Sequence, residues 1–245
     1  MIHLKALMWD DGCRKIAVAF NRRFGESRGM TVGKSFVGDV LRKHQYAILI
    51  EHREVKHRKP PLVPLNAIWG VDLTGKADAG GAAHIMLGVV EHGARALLAL
   101  QRLTDRTSLG ILLQLLPLMR RFGMPRAIRT DNEAIFTSRL FRAVLRLLGI
   151  RHQRIDQHCP WQNGRVERFF GTLKSKLDRW IVSSGAELDM SLHLFRVWYN
   201  HVRTHDNLNS RTPAEVWSGT SKRSRIPLWF EAWDGLLAGH YYSSA

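Results

Sequence analysis

The chain has 245 residues, 45% of them hydrophobic, enough for one large domain or a core with a smaller appendage, and too apolar for a disordered tail. Lys and Arg number 37 against 21 Asp and Glu, a formal charge of +16 spread along the whole chain, so a polyanion such as DNA or RNA is the leading partner class, ahead of an acidic membrane surface. Two distant cysteines, Cys13 and Cys159, exclude a disulfide framework and a paired-cysteine zinc site, and neither a signal-peptide core nor a membrane-length apolar run is present; the chain reads as soluble and cytoplasmic, with no membrane partner.

Asp10 and Asp11 are candidate caps for a first helix through Phe24, followed by a turn over Gly25 to Met30. Thr31 is the candidate cap of a second helix with Phe36, Val37, Val40 and Leu41 inside and Lys34, Arg42 and Lys43 projecting outward. Two short helices with basic outer faces fit either a helix-turn-helix DNA reader or ordinary packing. The prolines and charges of Arg53 to Pro64 disfavour helix and place a domain boundary there, leaving residues 1–60 as a small helical region with a basic linker.

From Asn66 the periodicity changes to two. In Ile68 to Thr74 the residues Trp69, Val71 and Leu73 face one way while Gly70 and Asp72 face the other, and a mid-strand aspartate usually has a partner or a task. Further strands are expected over Ala83 to Val90 and Ala94 to Leu103, the last also compatible with a short helix. A helix then runs to Phe122 from caps within Thr104 to Ser108, with Gly123 beyond it and Pro117 expected to kink it. Arg126 to Thr130 is a strand ending at Asp131, a helix follows from Thr137 or Ser138, and Ile150 to Ile155 is a fifth strand. The long segment from Ile155 to Trp180 begins as loop and becomes a helix. Its apolar stripe is Val166, Phe169, Leu173, Leu177 and Trp180, and its other stripe holds Asn163, Glu167, Gly171 and Lys174. This order predicts an α/β fold, a mixed sheet of five strands with helices on its faces.

If the first and fourth strands are neighbours, Asp72 and Asp131 sit side by side and Glu167, on the long helix, is the third carboxylate. Three converging acids repel one another unless cations neutralise them, and oxygen-only ligation suits two Mg²⁺ or Mn²⁺ ions able to clamp a phosphodiester. Asp72 in GVDLTG, Asp131 in IRTDNEAIF and Glu167 in PWQNGRVERFFGTLK, with 35 residues between the last two, resemble the signature of the retroviral-integrase superfamily. The likeness is nearest to bacterial insertion-sequence transposases with an integrase catalytic core, and it extends to Tyr199–Trp217, YNHVRTHDNLNSRTPAEVW, where Thr212, Pro213 and Glu215 form a candidate capping box.

The resemblance implies an RNase H-like core over residues 61–205 and a C-terminal tail, 206–245, forming a partial DNA-binding extension that includes a hairpin at Asp234-Gly235. It implies cleavage and transfer of DNA strands by two-metal phosphoryl transfer, with Asp72, Asp131 and Glu167 as catalytic and metal-binding residues, and a homo-oligomer on paired DNA ends. DNA contacts are assigned to Lys174, Arg165, Arg168, Asn163 and Asn132, with Lys34, Arg42 and Lys43 in the N-terminal region. Glu133 stands where many relatives have glycine, and the paired His-His, Cys-Cys zinc module of retroviral integrases is not present. A truncated or catalytically idle DNA-binding relative, or a metal-dependent nuclease of the same fold, are the competing readings.

Overall fold

A computed structural model describes residues 1–57, 63–155, 164–219 and 226–242, and the chain divides into two compact units, Met1–Pro61 and Leu62–Ala245. In the first unit α1 (Ile2–Leu7), α2 (Cys13–Arg28), α3 (Lys34–Lys43) and α4 (Gln45–His57) pack α1 on α4 and α2 on α3. Their shared core is Ile16, Ala17 and Val37, with Leu4, Met8, Val32 and Leu41 against it. The Asn21 side chain both donates to the Val32 carbonyl and accepts from its N–H, fixing the connection between α2 and α3.

Several expected boundaries move. Gly12 rather than an aspartate precedes α2, and Asp11 instead pairs with Lys15 at 2.8 Å. The helix also runs through Gly25 to Arg28. Glycine inside a helix costs about 1 kcal/mol, and here ring contacts work against that cost, with Phe20 against Phe24 at 4.8 Å and the Arg28 guanidinium over Phe24 at 5.6 Å. The stop comes at Gly29, whose φ of +60° suits a residue without Cβ. Gly33, not Thr31, precedes α3, where Val37 is fully buried while Phe36 is 55% exposed. A fourth helix runs on from Gln45 into the start of the Arg53 to Pro64 stretch expected to be irregular, because a proline constrains itself and the residue before it and so leaves the chain free to stay helical through His57.

In the second unit β1 (Ile68–Ala77), β2 (Ala83–Glu91) and β3 (Leu97–Arg102) form an antiparallel meander, and β4 (Ala127–Thr130) and β5 (Arg151–Arg154) add in parallel beyond β1. The strand order is β3-β2-β1-β4-β5. The expected mixed five-stranded sheet is therefore present, with β1 continuing past Thr74 to pair Ala77 with Ala83. The third strand is extended rather than helical and starts three residues later than expected, because Arg95 takes a left-handed φ of +58° in the turn.

Alternation sorts the sheet's two faces. Trp69, Val71, Leu87 and Val89 pack beneath α5 (Ser108–Phe122), the short α6 (Ala134–Thr137) and α7 (Arg139–Leu147). Met86, Val90, Leu97 and Leu100 pack beneath α8 (Gly164–Leu177) and α9 (Gly185–Val197). Thr107 caps α5 through the Gly110 N–H, and Ser138 caps α7 through the Phe141 N–H.

After α9 a wide turn over Trp198–Val202 and a tight one over Asp206–Leu208 lead to α10 (Pro213–Trp217), where Thr212 and Glu215 form the reciprocal capping box that the residue types predicted. The strands β6 (Leu228–Ala232) and β7 (Leu237–Tyr241) close a hairpin whose Trp233 and Leu237 are buried with Phe195 and Trp198. No described helix is long and apolar enough to cross a membrane.

Candidate active site on the sheet edge

Asp72 lies in the middle of β1 on the face covered by α8. Its register partner in β2 is Gly88, and a Cβ built there would stand 2.7 Å from Phe170 Cζ and 3.0 Å from Phe169 Cε1. The missing side chain at Gly88 is thus what lets α8 settle onto the sheet beside Asp72. On the other side β4 pairs with β1 from Ile68 opposite Ala127 to Gly70 opposite Arg129, and continuing that register brings Asp131 abreast of Asp72. The long helix carries Glu167 in its first turn, with Val166, Phe169, Phe170 and Leu173 buried beneath it.

Electrostatics ties the acids together. The Asp72 carboxyl is pushed up from 3.8 to about 6, first by burial and then by the nearby Asp131, Glu133 and Glu167, against the pull of the Leu73 N–H that donates to it at 2.8 Å. Burial and Glu133 likewise raise Asp131, whose Oδ1 accepts from the Glu133 N–H at 3.0 Å. Glu133 pairs with Arg106 at 3.1 Å, which gives the fourth acid a partner of its own. Among the described residues no three His, Cys, Asp or Glu side chains stand close enough to hold a metal ion as they are. The donor set nevertheless fits a hard cation in kind: it is all carboxylate oxygen, and its central member bears an uncompensated charge penalty.

The surrounding polar residues have separate placements. Glu167, Gly171 and Lys174 all lie exposed along one stripe of α8, and the space above Gly171 is open. Arg168 is exposed beside them, whereas Arg165 is half-buried and donates to the His92 carbonyl at 2.6 Å. Asn132 is exposed and donates to the Ile155 carbonyl at 2.7 Å, tying the end of β4 to the end of β5. Lys34, Arg42 and Lys43 are exposed on α3 of the first unit. Asn163 lies outside the described residues. Two residues with no prior signal also shape the region. Gly88 had only its place opposite Asp72 to mark it, and Glu91 is a fully buried carboxylate that accepts from the N–H groups of Asn66, Gly93 and Ala94 and so fixes the β2–β3 turn.

A meander extended in parallel by β4 and β5, with helices on both faces and an aspartate in the middle of β1, is the RNase H-like fold of integrase catalytic cores. The solved core of human T-lymphotropic virus 2 integrase, determined in complex with magnesium, superposes with a TM-score of 0.51 at 20% identity over 64% of this chain and 99% of that one. The simian T-cell lymphotropic virus intasome structure superposes with a TM-score of 0.54 at 19% identity over 99% and 87%.

In sequence, residues 148–213 match the family described as integrase core domain. The chain is 36% identical over 95 residues to an uncharacterised 39.2 kDa protein of insertion element IS476 from Xanthomonas euvesicatoria, covering 38% of this chain and 27% of that protein. It is 26% identical over 178 residues to a 31.7 kDa protein of insertion element IS407 from Burkholderia multivorans, covering 71% and 62%. The chain is thus similar to insertion-sequence proteins and, over residues 148–213, to the integrase core domain, and it spans less than two thirds of the length of these curated relatives.

Proposed function

We infer that the chain is a transposase that cuts and joins DNA strands by phosphoryl transfer, with Asp72, Asp131 and Glu167 as its catalytic acids. The observation that carries this reading is the Asp72 carboxyl, set in mid-strand where the β1–β4 register, carried on past Gly70 and Arg129, leads to Asp131, and driven up to about 6 by burial and by three neighbouring acids. An acid held at such a penalty is an arrangement awaiting a counter-charge, and in an otherwise basic chain it has no evident packing purpose. Asp72, Asp131 and Glu167 would hold Mg²⁺ or Mn²⁺, most simply as two ions. Metal bound there would withdraw charge from the scissile phosphate and make an attacking hydroxyl more acidic.

The chain's own groups would position the nucleic acid. The exposed stripe of Glu167, Gly171 and Lys174 leaves room for a strand to lie along α8, with Lys174 and Arg168 meeting its phosphates. Asn132 and Asn163 are assigned to orienting the strand near the acids, Arg165 to a further phosphate contact, and Lys34, Arg42 and Lys43 to a second contact made by the N-terminal unit, residues 1–60. The protein would act as a homo-oligomer on paired ends, in the cytoplasm at the nucleoid.

Replacing Glu167 by Gln tests the assignment on supercoiled plasmid with Mg²⁺. The expected result is loss of nicking with DNA affinity unchanged. The spacing of the acids, no three of which stand close enough to hold a metal ion among the described residues, favours one further reading, a DNA-binding relative that does no chemistry. That reading predicts no Mg²⁺-dependent nicking in the parent protein either. Products joined through a 3′-hydroxyl distinguish transfer from simple cleavage.

A further inference from the structure

On the α8 side of the sheet, Arg95, Arg165, Arg168 and Arg203 converge on a partly enclosed cleft completed by Val90, Thr172, Tyr199 and His205. Its interior is about 10 Å³, room for one water-sized group. The floor is buried: Arg95 is 8% exposed, Tyr199 4% and His205 8%, while Arg168 and Thr172 form an accessible rim. Arg203 lies over the Tyr199 ring at 5.5 Å and contacts the His205 ring nitrogens at 2.9 and 3.0 Å.

The charge balance of this cleft is one-sided. Burial lowers the pKa of Arg95, and Arg168 and Arg203 lower it further. His205 is held neutral, its pKa pushed down to about 3 by burial and by Arg203 and Arg95, and burial raises the Tyr199 phenol to about 12, so it stays protonated and able to donate. No ion pair joins Arg95, Arg168 or Arg203 to a carboxylate among the described residues. Glu91 acts on Arg165 and is itself engaged by the N–H groups of Asn66, Gly93 and Ala94. Backbone geometry adds a further sign. Arg95 occupies a left-handed φ of +58°, a conformation strained for a residue with a β-carbon, at a turn where glycine or asparagine would be relaxed.

We propose that this cleft is a phosphate seat: a non-bridging oxygen enters between Arg95 and Arg203 above Tyr199, while the rest of the phosphate stays at the rim against Arg168. Guanidinium forks and a phenol O–H match the acceptor-only chemistry of such a group, and the small interior admits one oxygen but not a whole tetrahedral anion. The source is either a DNA backbone phosphodiester or a free phosphate ion. The DNA source rests on the proposed function, since Arg168 adjoins Glu167 on α8, whereas the seat itself does not.

The test uses the full chain in EDTA, comparing sodium phosphate with sodium chloride at matched ionic strength by thermal unfolding. The expected result is a saturable rise in Tm with phosphate that R168Q, altered only at the exposed rim, shifts to several-fold higher phosphate. R203K, which keeps the charge but loses the planar fork, is expected to weaken the response similarly. With duplex DNA, R168Q lowers the slope of log affinity against log salt by about one if the source is the backbone. An unchanged slope with a shifted phosphate midpoint assigns the seat to the free ion. The inference is overturned if phosphate acts on parent and R168Q alike, or if D72N abolishes the response and so moves the ion to the carboxylate edge. Loss of nicking in E167Q bears only on the proposed function.

Discussion

Replacing Asp72 by Asn should stabilise the metal-free protein while removing its chemistry. The side chains are nearly isosteric, and the Asn oxygen can still accept the Leu73 N–H at 2.8 Å, so the change is one of charge. The folded carboxyl keeps its proton to about 6 where an ordinary aspartate releases it at 3.8. That rise corresponds to about 3 kcal/mol as an upper bound, and partial solvent access brings the expected gain to about 1–2 kcal/mol.

The pH dependence carries a definite sign. Between 3.8 and about 6 the folded state binds the proton that the unfolded state has released, so the parent protein loses this stability as pH rises through that window, and Asn, which does not titrate, loses none. Urea unfolding in EDTA at about pH 4 and about pH 8 should give a difference between variant and parent near zero at the first and full at the second. A variant less stable than the parent at the higher pH, or equally shifted at both, would refute the argument that burial and the neighbouring acids penalise this charge. Added Mg²⁺ should narrow the gap by stabilising only the parent.

Two other substitutions probe how the site is held. Gly88→Ala places a Cβ 2.7 Å from Phe170 Cζ, so α8 must shift or the ring must turn; overpacking of this kind costs about 1–3 kcal/mol, and nicking should fall more than DNA affinity, as a plasmid assay beside a binding titration would register. Thr212→Ala removes the side-chain half of the capping box on α10, a loss of about 1 kcal/mol readable by denaturant unfolding, with nicking per folded molecule unchanged.

The candidate acids were easier to pick out from the sequence than the structural setting that surrounds them. Asp72 stood out because a charged residue in an alternating apolar strand violates local preference, and the sheet order followed from meander and crossover rules acting on strongly patterned segments. Gly88 was invisible by the same logic, since a glycine in a strand names neither the residue across from it nor the helix it admits. Helix ends in the first unit moved for local reasons. Gly12 and Gly33 start helices without side-chain caps, and contacts through Phe24 carry α2 across Gly25. The turn at Arg95 escaped notice because arginine is an unusual choice for a left-handed position, and its guanidinium neighbours come from two segments far along the chain, α8 and the stretch after Val202.

The parallel pairing of β1 with β4 has a consequence for how competence arises during folding. Asp72 and Asp131 come onto neighbouring strands only after the meander and α5, which lie between them in the chain, have formed and the crossover has closed, and α8 then brings Glu167 from still further along. Contacts of such long sequence separation form late and slowly. A nascent or partly unfolded chain therefore has these acids scattered, and under the proposed function any capacity to break a phosphodiester would be a property of the finished sheet alone.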